Sequence, residues 1–440
     1  MIWKLIFSFT LCIIALIMLF FTFSASEESK VTTDRVPHDS DWMIVEKAGY
    51  GIKILNTQNN FITQLKDHFL ILINRDKWLV GTFDLSSKSW TESTFRSNDP
   101  QNQIIHIQNS QEAIWAIGMS CSNYYPYRIS QICLYELDIL DNGNIHIFRK
   151  FSFRDPAPDI HPDNVYLGSY EFGAGFFIKQ GSIYFPYHRS YVNTSDTPNG
   201  PANKEFGLLG FNHIANTITI KALYLNKHCD TILAGAFNNL PFIIFNNRSE
   251  LFFAYLDDYK VTEKEKITSS FLGFDNGVLD SIQNSSNLHC TWVDLRSNNI
   301  FNKLFHTINP YHYGIYYKKK DLLTGKWFNE KLISKGIKYS FAPSIASEGN
   351  NVVIAWQGIE SGNFQYDLSS APNNIYYALS KDSGNTWTSP IEVSIKKTNN
   401  ILLADPKIII QNDTLHLFYS HRDVATVNIK ELLFHLQKKL

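Results

Sequence analysis

From about residue 60 to its end the chain is a procession of short apolar runs, rich in Ile, Phe, Tyr and Val, each broken by Asn, Asp, Gly or Ser. Apolar segments with the 3.6-residue period of a helix are scarce, so strands joined by polar turns are expected throughout. The runs also repeat. "IYYKKKDLLTGKWFNEKLIS" (Ile315 to Ser334) aligns with "IYYALSKDSGNTWTSPIEVS" (Ile375 to Ser394), and in both the Trp falls ten residues after the second Tyr. "DLSSKSW" (Asp84 to Trp90) repeats the Asp-to-Trp spacing of "DLLTGKW" (Asp321 to Trp327). A second pattern alternates with the first. "PSIASEGNNVVIAW" (Pro343 to Trp356) and "PKIIIQNDTLHLFY" (Pro406 to Tyr419) each read as strand, polar turn, strand, with an aromatic 13 residues beyond the Pro. "LDSIQNSSNLHCTW" (Leu279 to Trp292) matches without the Pro, "FIIFNNRSELFFAY" (Phe242 to Tyr255) more loosely, and Gly175 to Arg189 and Phe69 to Phe83 share the shape.

Each unit is therefore two hairpins, four strands in about 40–60 residues, which is the period of a β-propeller blade. The expected fold is all-β, a propeller of about seven four-stranded blades, with units starting near residues 65, 103, 168, 231, 277, 341 and 404. Six blades is the alternative if one weaker unit is not real. The last unit is one strand short. "YGIKILN" (Tyr50 to Asn56) is expected to supply that strand and so remove an unpaired sheet edge.

Composition changes the picture at the N-terminus. Leu5 to Phe23 is 19 residues without a charge, preceded by Lys4 and followed by Glu27 and Glu28. That length suits a spanning helix more than the core of a secretory signal, although Ser24, Ala25 and Ser26 offer a small-residue cleavage site. The expected organisation is a signal anchor or signal peptide over residues 1–26, a linker over 27–44, and the propeller over 45–440. Lys4 on the near side places the propeller on the extracytoplasmic side, membrane-anchored or secreted. Export permits disulfides between Cys121 and Cys133 or between Cys229 and Cys290, with buried thiols as the equal alternative. A net charge of -1 with 18% charged residues gives no footprint for nucleic acid. No cofactor motif occurs. His161, His188, His306, His312 and His421 lack metal-ligand spacing, so no metal is expected.

"SKDSGNTW" (Ser380 to Trp387) fits S-x-D-x-G-x-T-W, the Asp box, and with its flanking strands it resembles a blade of the sialidase superfamily, the BNR-repeat propellers. The likeness spans about residues 275 to 425. Gly384 suits a positive φ, and Asp382 suits acceptance of N–H groups across the turn. Trp387 suits packing between hairpins. Ser380, Asp382, Gly384, Thr386 and Trp387 are thus read as structural, marking the fold and not the chemistry.

Ligands of propellers sit at one end of the channel, among the loops that follow the second strand of each blade. Here those loops read "YHRS" (Tyr187 to Ser190), "YLDD" (Tyr255 to Asp258), "VDLRS" (Val293 to Ser297), "QGIES" (Gln357 to Ser361) and "SHRD" (Ser420 to Asp423). They nominate Arg189, Arg296, Arg422, Asp294, Glu360, His188 and His421 as ligand-binding residues, because a guanidinium grips a carboxylate through two parallel hydrogen bonds. Resemblance to sialidases implies three arginines on the sugar carboxylate, a tyrosine nucleophile paired with a glutamate, and an aspartate acid/base. The early F/Y-R-I-P sequence of that family has only "YRIS" (Tyr127 to Ser130) to match it, and "FRDPAPD" (Phe153 to Asp159) stands out of register. No catalytic residue is therefore assigned. The expected function is binding of a glycan or acidic sugar, or of an extracytoplasmic protein partner. An exo-sialidase-type glycosidase and a protein-interaction scaffold are the alternatives.

Overall fold

A computed structural model describes residues 38–39, 43–48, 62–65, 68–73, 79–84, 89–94, 102–110, 113–121, 129–140, 145–154, 164–166, 171–193, 203–212, 214–223, 225, 229, 232–247, 250–268, 279–284, 286–294, 313–337, 339–359, 374–393, 401–423 and 431–440. The chain divides into two units, Met1–Pro37 and His38–Leu440. The apolar segment Leu5 to Phe23 belongs to the first and lies outside the described residues. Among the described residues there is no helix long and apolar enough to cross a membrane.

The second unit is all-β. Its described residues form seven sheets that follow one another along the chain, with neighbouring strands antiparallel except for two short parallel additions. Sheet one comprises Ile62–Leu65, His68–Ile73, Leu79–Asp84 and Ser89–Thr94. Sheet two comprises Asn102–Ser110, Ala113–Cys121, Ile129–Ile139 and Ile145–Arg154. Sheet three runs Phe177–Lys179, Ser182–Asn193, Asn203–Asn212 and Thr217–Leu223; its long second strand also pairs with Asn164–Tyr166 and Glu171–Phe172. Sheet four has Ile232–Phe237, Leu240–Asn247 and Glu250–Asp257, and two short edge pieces, Lys260–Val261 and Glu265–Lys266, in the fourth place. Sheet five is Leu279–Asn284, Asn287–Asp294, Gly314–Asp321 and Lys331–Leu332. Sheet six is Tyr339–Glu348, Asn351–Ile359, Asn374–Ser380 and Ile391–Val393, with His38–Asp39 added in parallel. Sheet seven has Ile401–Gln411, Thr414–Asp423 and Glu431–Lys439.

The fourth strand of sheet seven comes from the other end of the chain. Met43–Ala48 pairs antiparallel with Glu431–Lys439, Ile44 opposite Leu436 and Ala48 opposite Leu433. The expected donor, Tyr50 to Asn56, lies outside the described residues, and the strand that fills the place is the preceding one. Glu46 and Lys47 break the apolar run there, which is tolerable on an outermost strand with one wet face. Among the described residues the first strand is His38–Asp39, which falls in the stretch 27–44.

Sheets pack face to face, and each strand interior supplies two cores. Ile243 and Phe245 pack toward sheet three, whereas Phe242 and Ile244 on the same strand pack toward sheet five. Alternation of side chains across a strand makes this automatic. Second strands are accordingly buried on both faces, as in Leu288 to Asp294, while the outermost Thr217–Leu223 is largely exposed. Cys229 sits between sheets three and four and Cys290 between four and five, so this pair is not bridged; Cys133, Cys229 and Cys290 are all buried.

Turns between first and second strands use left-handed residues: Gln180 and Gly181, Asn238 and Asn239, Asn412 and Asp413. Two consecutive positive φ values are the two-residue hairpin that right-twisted strands favour, which explains the Asn, Asp and Gly at the breaks. Equivalent turns touch across successive sheets. Asn284 Nδ2 donates to Ser347 Oγ (2.8 Å) and to the Gly349 carbonyl (2.6 Å). Glu348 accepts from the backbone N–H groups of Asn412 (3.0 Å) and Asp413 (3.1 Å). These contacts put the first-to-second and third-to-fourth turns on one side, the turn edge. The second-to-third connections, from residues 248–249 in sheet four to 295–312 in sheet five, lie on the other, the loop edge.

Sheet seven also buries two histidines side by side. His416 Nδ1 and His435 Nε2 are 3.1 Å apart, and the His435 ring stacks on Phe418 at 4.2 Å. Burial lowers the pKa of His416 to about 4, and burial together with the neighbouring His416 lowers His435 further. Two predictions follow from this sheet. Removing residues 1–42 should cost little, whereas removing 1–48 should cost about 3 kcal/mol or more in urea denaturation; equal midpoints would show that Met43–Ala48 is not the closing strand. Because the folded histidines stay neutral where unfolded ones, near 6.5, bind protons, stability should fall as pH drops from about 6.5 toward 4. A His416→Gln/His435→Phe variant should flatten that slope, measured as unfolding free energy at pH 7.5, 5.5 and 4.5.

Candidate functional site

Counting from the second residue of each first-to-second turn, the sixth position of the second strand is Tyr187, Phe245, Trp292, Trp356 and Tyr419 in sheets three to seven. All five are sealed from solvent. Two residues nearer the loop edge, on the same face, stand Arg189, Asn247, Asp294, Gly358 and His421. A layer of buried aromatics is therefore capped by residues of varied polarity at one height.

Sheet three shows what such a cap can do. Arg189 is 1% exposed and donates from Nη2 to Glu205 Oε1 at 2.8 Å. Tyr187 Oη donates to the same oxygen, also at 2.8 Å, and the guanidinium lies 5.7 Å from the Tyr187 ring. Register explains the trio: Arg189 is directly opposite Glu205, and Tyr187 opposite Gly207. A Cβ at Gly207 would fall 2.6 Å from Tyr187 Oη, so only glycine lets the phenol cross the strand to the glutamate. His188, on the opposite face, is buried with its ring 5.7 Å from Phe206.

Asp294 is fully buried at the end of its strand, opposite Gly314. His421 and Arg422 have their backbones placed, opposite Leu432 and Glu431, but their side chains lie outside the described residues. Arg296 and Glu360 also lie outside them, as do Tyr127 and Asp159. Glu205, which the sequence analysis did not nominate, turns out to be the partner of Arg189. The cross-strand alternation of "YHR" and "NKE" was the available signal, once the hairpin register was known.

One expected site segment is on the wrong edge. Tyr255 to Asp258 ends the third strand of sheet four, and Asp258 and Tyr259 form its third-to-fourth turn with φ of 45° and 63°. The matching hairpin of this sheet is Ile232–Asn247, one strand earlier than Phe242 to Tyr255. Phe69 to Phe83 is likewise a second-to-third hairpin. Apolar strand, polar turn, apolar strand describes every hairpin of a stacked sheet, so the pattern alone does not say which hairpin it is.

The turn over residues 380–387 lies on the turn edge. Asp382 Oδ1 accepts from Ser380 Oγ and from Thr386 N, both at 2.8 Å, and Asp382 Oδ2 accepts from Thr386 Oγ1 at 2.6 Å. These bonds, led by the Thr386 hydroxyl, hold the Asp382 carboxyl well below the ordinary carboxylate range. Gly384 has φ of 82°, and a Cβ there would meet Tyr317 Oη at 1.8 Å. The turn grips sheet five: Trp387 meets Tyr317 edge-on at 4.8 Å, and Lys319 Nζ donates to the Ser383 carbonyl and to Asn385 Oδ1, each at 2.9 Å. Trp327 does the same one sheet back, donating to Glu265 Oε2 of sheet four at 2.8 Å. Among the described residues no group of three His, Cys, Asp or Glu is placed to hold a metal.

The buried trio of sheet three makes a stability prediction. Glu205→Leu should destabilise by about 3–5 kcal/mol by stranding the Arg189 charge, and Arg189→Met/Glu205→Leu should recover most of the loss. Urea denaturation of both variants checks this; a single variant as stable as the parent would mean the guanidinium is not held dry.

No protein-family model matches the chain, and no curated protein matches it. Among solved structures, the chain is similar to the polysaccharide lyase Uly1, with TM-score 0.48 and 9% identity over 92% of this chain and 100% of that one. It is similar to Trypanosoma rangeli sialidase in complex with 2,3-difluorosialic acid, with TM-score 0.46 and 7% identity, over 91% of this chain and 59% of that one. Kuenenia stuttgartiensis hydrazine synthase gives TM-score 0.40 and 8% identity over 74% of this chain and 77% of that one. The chain thus spans less than two thirds of the length of the sialidase it matches.

Proposed function

We propose that the chain is an exported, membrane-tethered propeller whose seven sheets are seven blades, and that its loop edge binds an acidic glycan without cleaving it. The observation that carries this reading is the capped aromatic layer, which repeats in register over five sheets and sets Arg189, Asn247, Asp294 and His421 at one height below the loop edge, with Gly358 in that place in sheet six. In sequence Arg296 and Glu360 follow the second strands of sheets five and six, and Arg422 belongs to that of sheet seven, beyond the cap positions Asp294, Gly358 and His421. Arginines in such a set suit a sugar carboxylate. The charge-free run Leu5 to Phe23 supports export and the tether.

A hydrolase of the sialidase type is the second reading, favoured by the Tyr187–Glu205 hydrogen bond. Its geometry speaks for structure instead. The glutamate oxygen that would take the phenol proton already accepts from Arg189, and Tyr187 has no exposed surface for a sugar to reach. A tyrosine nucleophile needs both a receptive base and contact with the substrate.

The test is calorimetric titration of the full chain, in detergent, with sialyllactose and with uronic-acid oligosaccharides. Saturable binding of at least one is expected. Arg296→Ala and Arg422→Ala should each weaken it about tenfold, roughly 1.4 kcal/mol, with the melting temperature unchanged. No release of fluorophore from a fluorogenic sialoside is expected. Turnover that is lost in Tyr187→Phe would establish the hydrolase, and failure to bind any acidic sugar would end the glycan reading.

A further inference from the structure

Third-to-fourth turns send an aromatic side chain onto the preceding sheet, and one of these clasps differs in kind. Trp387 of sheet six meets Tyr317 of sheet five, and Trp327 of sheet five donates to Glu265 of sheet four. In sheet four the clasp is Tyr259, and what it meets in sheet three is a second phenol. Tyr259 Oη donates to Tyr184 Oη at 2.7 Å, and the ring centroids are 4.9 Å apart at 44°. Because the oxygens are closer than the centroids, the rings converge toward their hydroxyl ends, where the ortho carbons lie.

Both rings are held in that relation. Tyr184 is 6% exposed and stacks on Phe177 at 5.1 Å. It also crosses Gly210, where a Cβ would fall 2.4 Å from Tyr184 Cε1, so glycine makes the room. Tyr259 is half-buried with φ of 63°, a left-handed conformation that a bulky residue keeps only where its surroundings impose it. Lys179 and Lys221 set their ammonium groups 4.8 and 5.2 Å from its ring centroid. Burial, with the Tyr184 hydrogen bond, raises the pKa of Tyr259, so at neutral pH an oxidant meets the phenol and not the phenolate.

We propose that Tyr184 and Tyr259 form an oxidative cross-linking site, which hydrogen peroxide and a haem peroxidase convert to a dityrosine joining sheets three and four. Tyr259, the more exposed partner, first gives up an electron and its hydroxyl proton. Tyr184 passes its hydroxyl hydrogen across the 2.7 Å bond to the Tyr259 radical, and a second oxidation at Tyr259 leaves a radical on each ring. The radicals couple through one ortho carbon each, and each ring then moves the hydrogen of that carbon to its oxygen. The pair loses two electrons and two protons; one hydrogen peroxide takes these up with two further protons' worth of oxygen bonds already in place, leaving two water molecules. Residues 75 apart in sequence are thereby tied, which constrains the unfolded chain as a disulfide does.

The test treats the full chain, in detergent, with hydrogen peroxide and a haem peroxidase, beside a tube of free tyrosine, and maps the digested chain by mass spectrometry. The expected product is one peptide pair joined through Tyr184 and Tyr259, two hydrogens lighter than the sum, in a chain that still migrates as a monomer. Its urea midpoint should exceed that of the untreated chain. Tyr184→Phe and Tyr259→Phe, which keep the rings, should each abolish the pair, whereas Tyr255→Phe should leave it in place. Unfolding the parent in urea before treatment should scatter the coupling among other tyrosines. Free tyrosine that couples while residues 184 and 259 stay unlinked would overturn the proposal. So would a link that forms between chains, or one that forms equally well in the unfolded parent.

Discussion

Burial of second strands on both faces is the constraint from which the rest of this structure follows. A strand such as Asn287–Asp294, with apolar or aromatic side chains on alternate faces, cannot end a stack, because one of its faces would stand in water. A sheet so built needs a neighbour on either side, and among the described residues cores join two with three, three with four, four with five, and six with seven. Completion of sheet seven by Met43–Ala48 fits the same demand at the level of backbone hydrogen bonds, since it ties the two ends of the folded unit into one ladder.

Charges between sheets are bound by that constraint too. Lys318, Lys319 and Lys320 are consecutive, so they alternate across the third strand of sheet five. Lys318 donates to the Ile267 carbonyl and Lys320 to Glu265, both toward sheet four, whereas Lys319 reaches the 380–387 turn of sheet six. Lys320 is fully buried, with Phe253 and Trp327 beneath it, and its partner Glu265 also accepts from Trp327. A lysine in such a place survives because the glutamate and a carbonyl replace its water. The same logic holds Arg189 between sheets two and three. The lysine contacts add registration between sheets, and Arg189–Glu205 adds it between neighbouring strands of sheet three, more than net stability, because an apolar replacement of a whole pair would pack as well.

The period of the fold was legible where the turn chemistry was strict. Asn412–Asp413 and Gly384 announce their conformations, and the prolines that align the units, Pro343 and Pro406, prove to sit in bulges of first strands beside Ala342 and Asp405 with φ of 46° and 53°. Proline in a strand marks such a bulge, so that repeat carried real geometry. What escaped the sequence was placement within a sheet. Phe242 to Tyr255 has the composition of its counterparts but sits one strand later, which moved Asp257 and Asp258 to the opposite edge. Glu205 escaped for a related reason: a cross-strand partner is fixed by register, and register depends on a loop whose length the residues Arg189 and Glu205 do not reveal.

Turn edge and loop edge then differ in freedom. First-to-second turns of two residues admit few conformations, and they are pinned to one another by bonds such as Asn284 to Gly349 and Glu348 to Asn412. Their side chains can vary only outward. Second-to-third connections span residues 295–312 and 360–373, with no such limit on length. A ligand that must be recognised by shape requires that latitude, together with a rigid base to hold it, and the capped aromatic layer supplies the base.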